Sequence, residues 1–198
     1  MRVIQVKCPS CKNPIQMKVR DRLFYCENCR TLHIRDNEVQ LVDYEIGDFA
    51  KGAPLDNRVY VPFWRLYCNF VINHISSSGG TAFKLSNWVR GGPQQNSGDI
   101  FVFVPAGEFD PGTFRRLATM MTANPPRYAS RLDFGNVPRL PASVRKVEAA
   151  ELADFIVVTM EAEKPGVLQD LDYSLTVRDA RIVYLPFFTS VSGLVPGF

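Results

Sequence analysis

Four of the five cysteines are spaced to hold one metal ion. Cys8-Pro-Ser-Cys11 and Cys26-Glu-Asn-Cys29 are pairs with two residues inside each and fourteen between them. Two intervening residues let a tight turn aim both sulfurs at one point, and two such knuckles supply four thiolates. Four thiolates close a tetrahedral shell around one Zn2+ and leave no position for a reactive water, so the expected role is structural. Two other readings of these residues are reduced cysteines without metal and C-x-x-C redox pairs; the redox reading lacks the βαβ setting such motifs use. His33, four residues after Cys29, is a substitute ligand in principle, but beside a complete thiolate set it reads as a surface histidine on a strand. Cys68 stands apart in an apolar run, 64–72, and reads as a small buried hydrophobe.

The segments that must position these sulfurs read as short strands over 2–7, 15–19, 23–25, 31–34 and 39–44, the last two joined by an Arg-Asp-Asn-Glu turn, so that each knuckle sits at a hairpin tip. A unit of this size buries too little apolar surface to fold unaided, and a structural zinc worth on the order of 10 kcal/mol compensates. Through Lys7-Cys8-Pro9-Ser10-Cys11 and Phe24-Tyr25-Cys26-Glu27-Asn28-Cys29 the chain resembles the zinc-ribbon family shared by transcription factors, RNA polymerase subunits and many bacterial proteins. The commonest form of that family has glycine after the second cysteine of a knuckle; here Lys12 and Arg30 occupy those places.

Residues 1–35 carry eight Lys/Arg against Asp21 and Glu27, a local formal charge of +6. With the zinc-thiolate cluster counted, about +4 remains. Lys12, Lys18, Arg20 and Arg22, with Phe24 and Tyr25 nearby, are therefore candidate contacts to nucleic acid through phosphate pairing and base stacking. The alternative is a solvated basic face, because the chain as a whole is only +3 and the basic character does not continue beyond the ribbon.

After Asp43 the texture changes. The stretch 43–57 is acidic and turn-rich and reads as a connector with the boundary at 47–56, which divides the chain into a ribbon, 1–46, and a β-rich α+β domain, 57–198. Val59-Tyr-Val-Pro-Phe-Trp64 and Val183-Tyr-Leu-Pro-Phe-Phe188 are near copies, with Val102-Phe-Val-Pro105 a shorter third version. Proline cannot donate to a ladder, so each copy is expected at a sheet edge, a strand end or a bulge. Phe63, Trp64, Phe187 and Phe188 either pack a core or line a partner-binding groove, and the apolar C-terminal run ending at Phe198 is a further candidate for docking. A ribbon followed by Tyr-x-Pro-Phe-Trp elements resembles bacterial zinc-ribbon proteins that look like adaptors, a resemblance that brings no catalytic residues with it.

One helix is expected over 110–121, with Asp110 as N-cap, Pro111 at its first position and Phe114, Leu117, Ala118 and Met121 on one face. A second is expected over about 143–154, leading into a strand at 155–160 and a hairpin through Lys164-Pro-Gly166 to strands at 173–177 and 182–185. The Gly-rich stretches 76–80 and 91–98 read as linkers, since no Gly-Lys-Ser/Thr follows either.

The sequence offers no hydrolase, kinase or dehydrogenase pattern. Its two histidines, His33 and His74, lie in no catalytic motif, and Asp170 and Asp172 read as solvated acids. No apolar run is long enough to span a membrane, no small-molecule substrate is indicated, and the residues before Cys8 read as no apolar signal region, so the expected location is the cytoplasm. The expectation is a non-catalytic zinc-binding adaptor or assembly subunit acting through a protein partner or its own oligomer, with nucleic-acid binding as the alternative.

Overall fold

The computed structural model describes residues 3–19, 21–35, 38–78, 97–163 and 167–198. The turn at 164–166 lies outside them, as do most of 91–98 and the end of 76–80; where those stretches are described, they belong to strands. The architecture is α+β and mostly antiparallel, as the sequence indicates. β1 (Val3–Lys7) and β2 (Pro14–Lys18) form a hairpin, and β3 (Leu23–Cys26), β4 (Thr31–Arg35) and β5 (Val39–Val42) form a three-stranded sheet with β4 in the middle. The last of the expected ribbon strands is split. Val39–Val42 stays in the small sheet, while β6 (Tyr44–Gly47) crosses into the large one and pairs in parallel with Ile182, Val183 and Tyr184.

The large sheet contains β7 (Arg58–Ser78), β8 (Ser97–Pro105), β9 (Ser130–Arg131), β10 (Val167–Ser190) and β11 (Gly193–Pro196) besides β6. Its order is β8-β7-β10-β6-β9, with β11 also paired to β10. β7 and β10 pair antiparallel along their length with three register shifts, so the two short strands expected at 173–177 and 182–185 are parts of one. Alternation along β7 sends Tyr60, Trp64, Leu66, Cys68 and Phe70 to one face and Val59, Val61 and Phe63 to the other.

Helix α1 (Pro111–Ala123) packs Leu117 and Met121 on the second face and is capped by Asp110, whose Oδ1 accepts from the Thr113 N–H at 3.0 Å. Helix α2 (Lys146–Ala162) covers the first face, and it overturns the strand expected at 155–160. Phe155-Ile-Val-Val has the composition of a strand, but Ala149, Ala153, Ile156, Val157 and Met160 recur at helical spacing and are all buried against the sheet. Burial of that stripe outweighs the weak helix propensity of β-branched residues.

The repeated segments lie in the two central strands, not at an edge. They pair with each other around a local two-fold axis: Val61 faces Leu185, Tyr60 faces Pro186 and Pro62 faces Tyr184. The missing donors are accommodated by the neighbours. The Pro62 carbonyl accepts from Ala106 just past the end of β8, and the Pro186 carbonyl accepts from Gly197 in the gap between β6 and β11. Each proline thus turns its N-side toward a place where the adjacent ladder has stopped. Pro105 is the last residue of β8, the strand-end position expected of it.

Candidate metal centre

The two knuckles meet between the hairpin β1–β2 and the sheet β3–β4–β5. Cys8 and Cys11 follow β1, while Cys26 ends β3 and Cys29 precedes β4. Each knuckle is a helical-type turn closed by the N–H after its second cysteine, with Lys12 N to Cys8 O at 2.9 Å and Arg30 N to Cys26 O at 2.7 Å. Closing that bond puts Lys12 at φ 65° and Arg30 at φ 53°, the left-handed region that glycine occupies in the commonest ribbons.

All four sulfurs lie within 4.8 Å of one another, and no other group of His, Cys, Asp and Glu among the described residues is placed to hold a metal. Cys8 Sγ is 3.6 Å from Cys29 Sγ and Cys11 Sγ is 3.5 Å from Cys26 Sγ. Zinc–sulfur bonds of about 2.3 Å put tetrahedral sulfurs about 3.8 Å apart, so the four donors fit one ion with a small adjustment. Burial works against ionising Cys8, yet the N–H groups of Cys11 and Ser10 with the Cys29 and His33 side chains outweigh it and bring this thiol down to about 5. Burial pushes Cys26 up to about 12, and a cation is what would draw its proton off.

His33 is not the surface residue expected. Its exposure is 1 %, and it lies opposite Phe24 in the β3–β4 ladder with the rings stacked at 5.2 Å. Alternation on β4 turns Leu32 and Ile34 toward the large sheet and Thr31 and His33 toward the cysteines. His33 Nε2 stands 3.0 Å from Thr31 Oγ1 and 3.6 Å from Cys8 Sγ, and Thr31 Oγ1 stands 2.9 Å from Cys29 Sγ. Period-two alternation within β4 was the available signal, since Thr31 and His33 share a face and Thr31 follows the knuckle directly.

β3 is buried on both sides. Phe24 and Cys26 join Cys8, Ile15 and Met17 in a small core around the sulfurs, whereas Leu23 and Tyr25 enter the main core with Leu32 and Ile34. Arg22 N donates to Ala142 O at 2.9 Å, and Asp21 Oδ1 accepts from both Leu23 and Ala142 at 3.1 Å. The ring of Tyr25 packs edge-on against Phe134 at 4.9 Å, with Arg139 over both rings.

The partner-binding residues expected from sequence are largely consumed by packing. Phe63, Trp64 and Phe187 are buried, and Trp64 Nε1 donates to Val144 O at 2.9 Å. Phe188 is half-buried against Phe49, and Phe198 packs on Phe187 at 6.1 Å because β11 folds the C-terminal run back onto β10. Of the candidate nucleic-acid contacts, Lys12 is exposed and donates to Pro9 O, Arg22 is half-buried, and Arg20 and the Lys18 side chain lie outside the described residues. Phe24 and Tyr25, expected to stack on bases, are buried. Cys68 is buried, as expected, with its thiol pushed up to about 12 by that burial.

A charged cluster has no signature in the sequence because its members come from three strands, β6, β7 and β10, and the loop before β9. Glu45 Oε1 accepts from Arg65 and Arg181 at 2.9 and 2.8 Å, and Glu45 Oε2 accepts from Arg65 and the Tyr128 hydroxyl at 3.0 Å each. Burial opposes the Glu45 charge, but these donors hold its carboxyl below the usual range. No described helix is long and apolar enough to cross a membrane. No protein-family model, curated protein or solved structure matches the chain.

Proposed function

We propose that Cys8, Cys11, Cys26 and Cys29 hold one structural Zn2+ and that the protein is a non-catalytic adaptor or assembly subunit. The observation that carries this reading is the closed set of four sulfurs within tetrahedral reach of one another, with no further metal-ligating cluster among the described residues. When bound, zinc supplies a cross-link between β1–β2 and β3–β4 and no open coordination position. The four residues fit it by donor type and spacing.

Protein contact is favoured over nucleic-acid contact by what the ribbon leaves exposed. β5 is the outer strand of its sheet, and Leu41 is 62 % exposed with Val39 also exposed. A strand edge with no partner strand among the described residues, and with apolar side chains beside it, suits pairing with a strand of a second protein or a second copy. The stacking rings that nucleic acid would use are buried. Two measurements test the reading. Elemental analysis of protein purified under reducing conditions is expected to give one zinc per chain. Light scattering and pulldown are expected to reveal an oligomer or bound protein that Leu41→Lys abolishes. Protein free of zinc would overturn the metal assignment, and a monomer without binding partners would overturn the adaptor role.

A further inference from the structure

We infer that His33 and Thr31 are positioning residues for the metal centre: Nε2–H of His33 donates to Thr31 Oγ1, and the Thr31 hydroxyl donates in turn to the Cys29 thiolate. The inference rests on the metal reading above and extends it to residues outside the ligand set. Direction follows from chemistry. A metal-bound thiolate accepts hydrogen bonds and donates none, so the single hydroxyl proton of Thr31 points at Cys29 Sγ, 2.9 Å away. The Thr31 oxygen is then left as an acceptor, and the nitrogen facing it at 3.0 Å, His33 Nε2, must carry a proton. The same N–H lies 3.6 Å from Cys8 Sγ, so one imidazole serves sulfurs from both knuckles. The thiolate charge therefore fixes the tautomer of a ring four residues beyond the last ligand.

Burial supports a role at the sulfurs over a packing role. His33 is buried, with its ring stacked on Phe24 and Cys8 Sγ beside it, where an apolar ring would fit and a polar one is costly without partners. The partners Nε2 has are the Thr31 hydroxyl and a cysteine sulfur. Nε2 also falls outside the group of four mutually close donors, so it is not a fifth ligand. Hydrogen bonds of this kind neutralise part of the excess negative charge of a zinc tetrathiolate and orient the ligating sulfurs.

The test compares parent, His33→Phe, His33→Gln, Thr31→Val and the double variant, in the full chain. Phenylalanine keeps the stack on Phe24 and valine keeps the shape of threonine, so each removes a donor with little loss of packing. Zinc affinity, measured by competition with a chromophoric chelator, is expected to fall about 10- to 100-fold in His33→Phe and in Thr31→Val. The double variant loses less than the sum of the two singles, because both cut the His33–Thr31–Cys29 relay and only the His33 contact to Cys8 is lost separately. His33→Gln, which returns an N–H, recovers part of the loss. In the Co2+-substituted protein the sulfur-to-metal charge-transfer band moves to longer wavelength in both single variants, since removing a hydrogen bond raises the energy of the sulfur lone pairs. Unchanged affinity and an unchanged band would overturn the relay while leaving the metal site intact. Additive losses would overturn the single-chain arrangement. A parent protein that binds neither Zn2+ nor Co2+ would instead overturn the metal reading on which the relay rests.

Discussion

Chelating the metal is expected to melt β1 and β2 while β3, β4 and β5 stay on the large sheet. The core that holds the hairpin contains three buried apolar side chains, Ile15, Met17 and Phe24, with Ile4 and Val6 half-buried against them, besides the cysteines. At about 1.5–3 kcal/mol for each buried side chain and about half that for the other two they contribute about 6–12 kcal/mol in total, against about 10–16 kcal/mol for a structural zinc. On that side the metal therefore stabilises more than the packing does. On the other side Leu23, Tyr25, Leu32 and Ile34 are buried in the main core and need no metal to stay there. Hydrogen exchange read by mass spectrometry, with and without a strong chelator, separates the two cases. Amides of Val3–Lys7 and Pro14–Lys18 should lose protection on chelation, and those of Leu23–Cys26 and Thr31–Arg35 should keep most of theirs. A hairpin still protected after the metal has gone would refute the argument that zinc dominates its stability. Loss of both sheets together would refute the division of β3 between two cores.

Three further outcomes follow from particular residues. Lys12→Gly and Arg30→Gly each relieve a left-handed backbone worth about 1–2 kcal/mol and give back about 0.5–1 kcal/mol of unfolded-chain freedom. Each should raise the thermal midpoint of the zinc-loaded protein by a few degrees, and a fall would show that the side chains matter more than the backbone. Glu45→Gln should cost about 1–3 kcal/mol at neutral pH in chemical denaturation, since it strands Arg65 and Arg181. Glu45 has a lowered folded pKa, so its contribution is complete above the ordinary value of 4.5 and is lost as pH falls through the folded one. The gap between parent and variant should therefore close on acidification, and a gap independent of pH would show that the carboxylate charge is not what matters. Phe187→Ala should destabilise the fold by about 3–5 kcal/mol, because the ring is fully buried between Phe63 and Phe198. A stable variant that had merely lost a binding partner would restore the docking role expected from sequence.

The clustering of the four cysteines was legible because cysteine spacing is a local property: a two-residue gap dictates a turn, and a turn dictates where the sulfurs point. Helix α1 was legible for the same reason, through Asp110, Pro111 and one apolar stripe. What failed were judgements that depend on what covers a residue. His33 has a polar side chain on a short strand, and only the β1–β2 hairpin laid over that face makes it interior. Ile156, Val157 and Val158 favour a strand until the large sheet offers a surface that a helix covers better. Glu45, Arg65, Tyr128 and Arg181 are ordinary charged and polar positions, and the topology alone brings them together.

The repeated Tyr-x-Pro segment shows the same limit in a subtler form. Sequence can reveal that two segments are alike, but likeness does not say whether they sit apart or on each other. Here they pair antiparallel about Val61 and Leu185, which places Tyr60 and Tyr184 on the same face of adjacent strands. Both rings pack edge-on against Phe134, at 5.3 and 4.9 Å, and Tyr25 from the ribbon completes the group at 4.9 Å. The repeat thus builds a two-tyrosine platform, Phe134 seats on it, and the ribbon docks through its own tyrosine. Prolines 62 and 186 are tolerated in central strands because the adjacent ladders end beside them, at Ala106 and Gly197. On the proposed reading the half of this N-terminal unit that carries Cys8 and Cys11 depends on a bound metal, and the half that carries Tyr25 depends on the paired repeat.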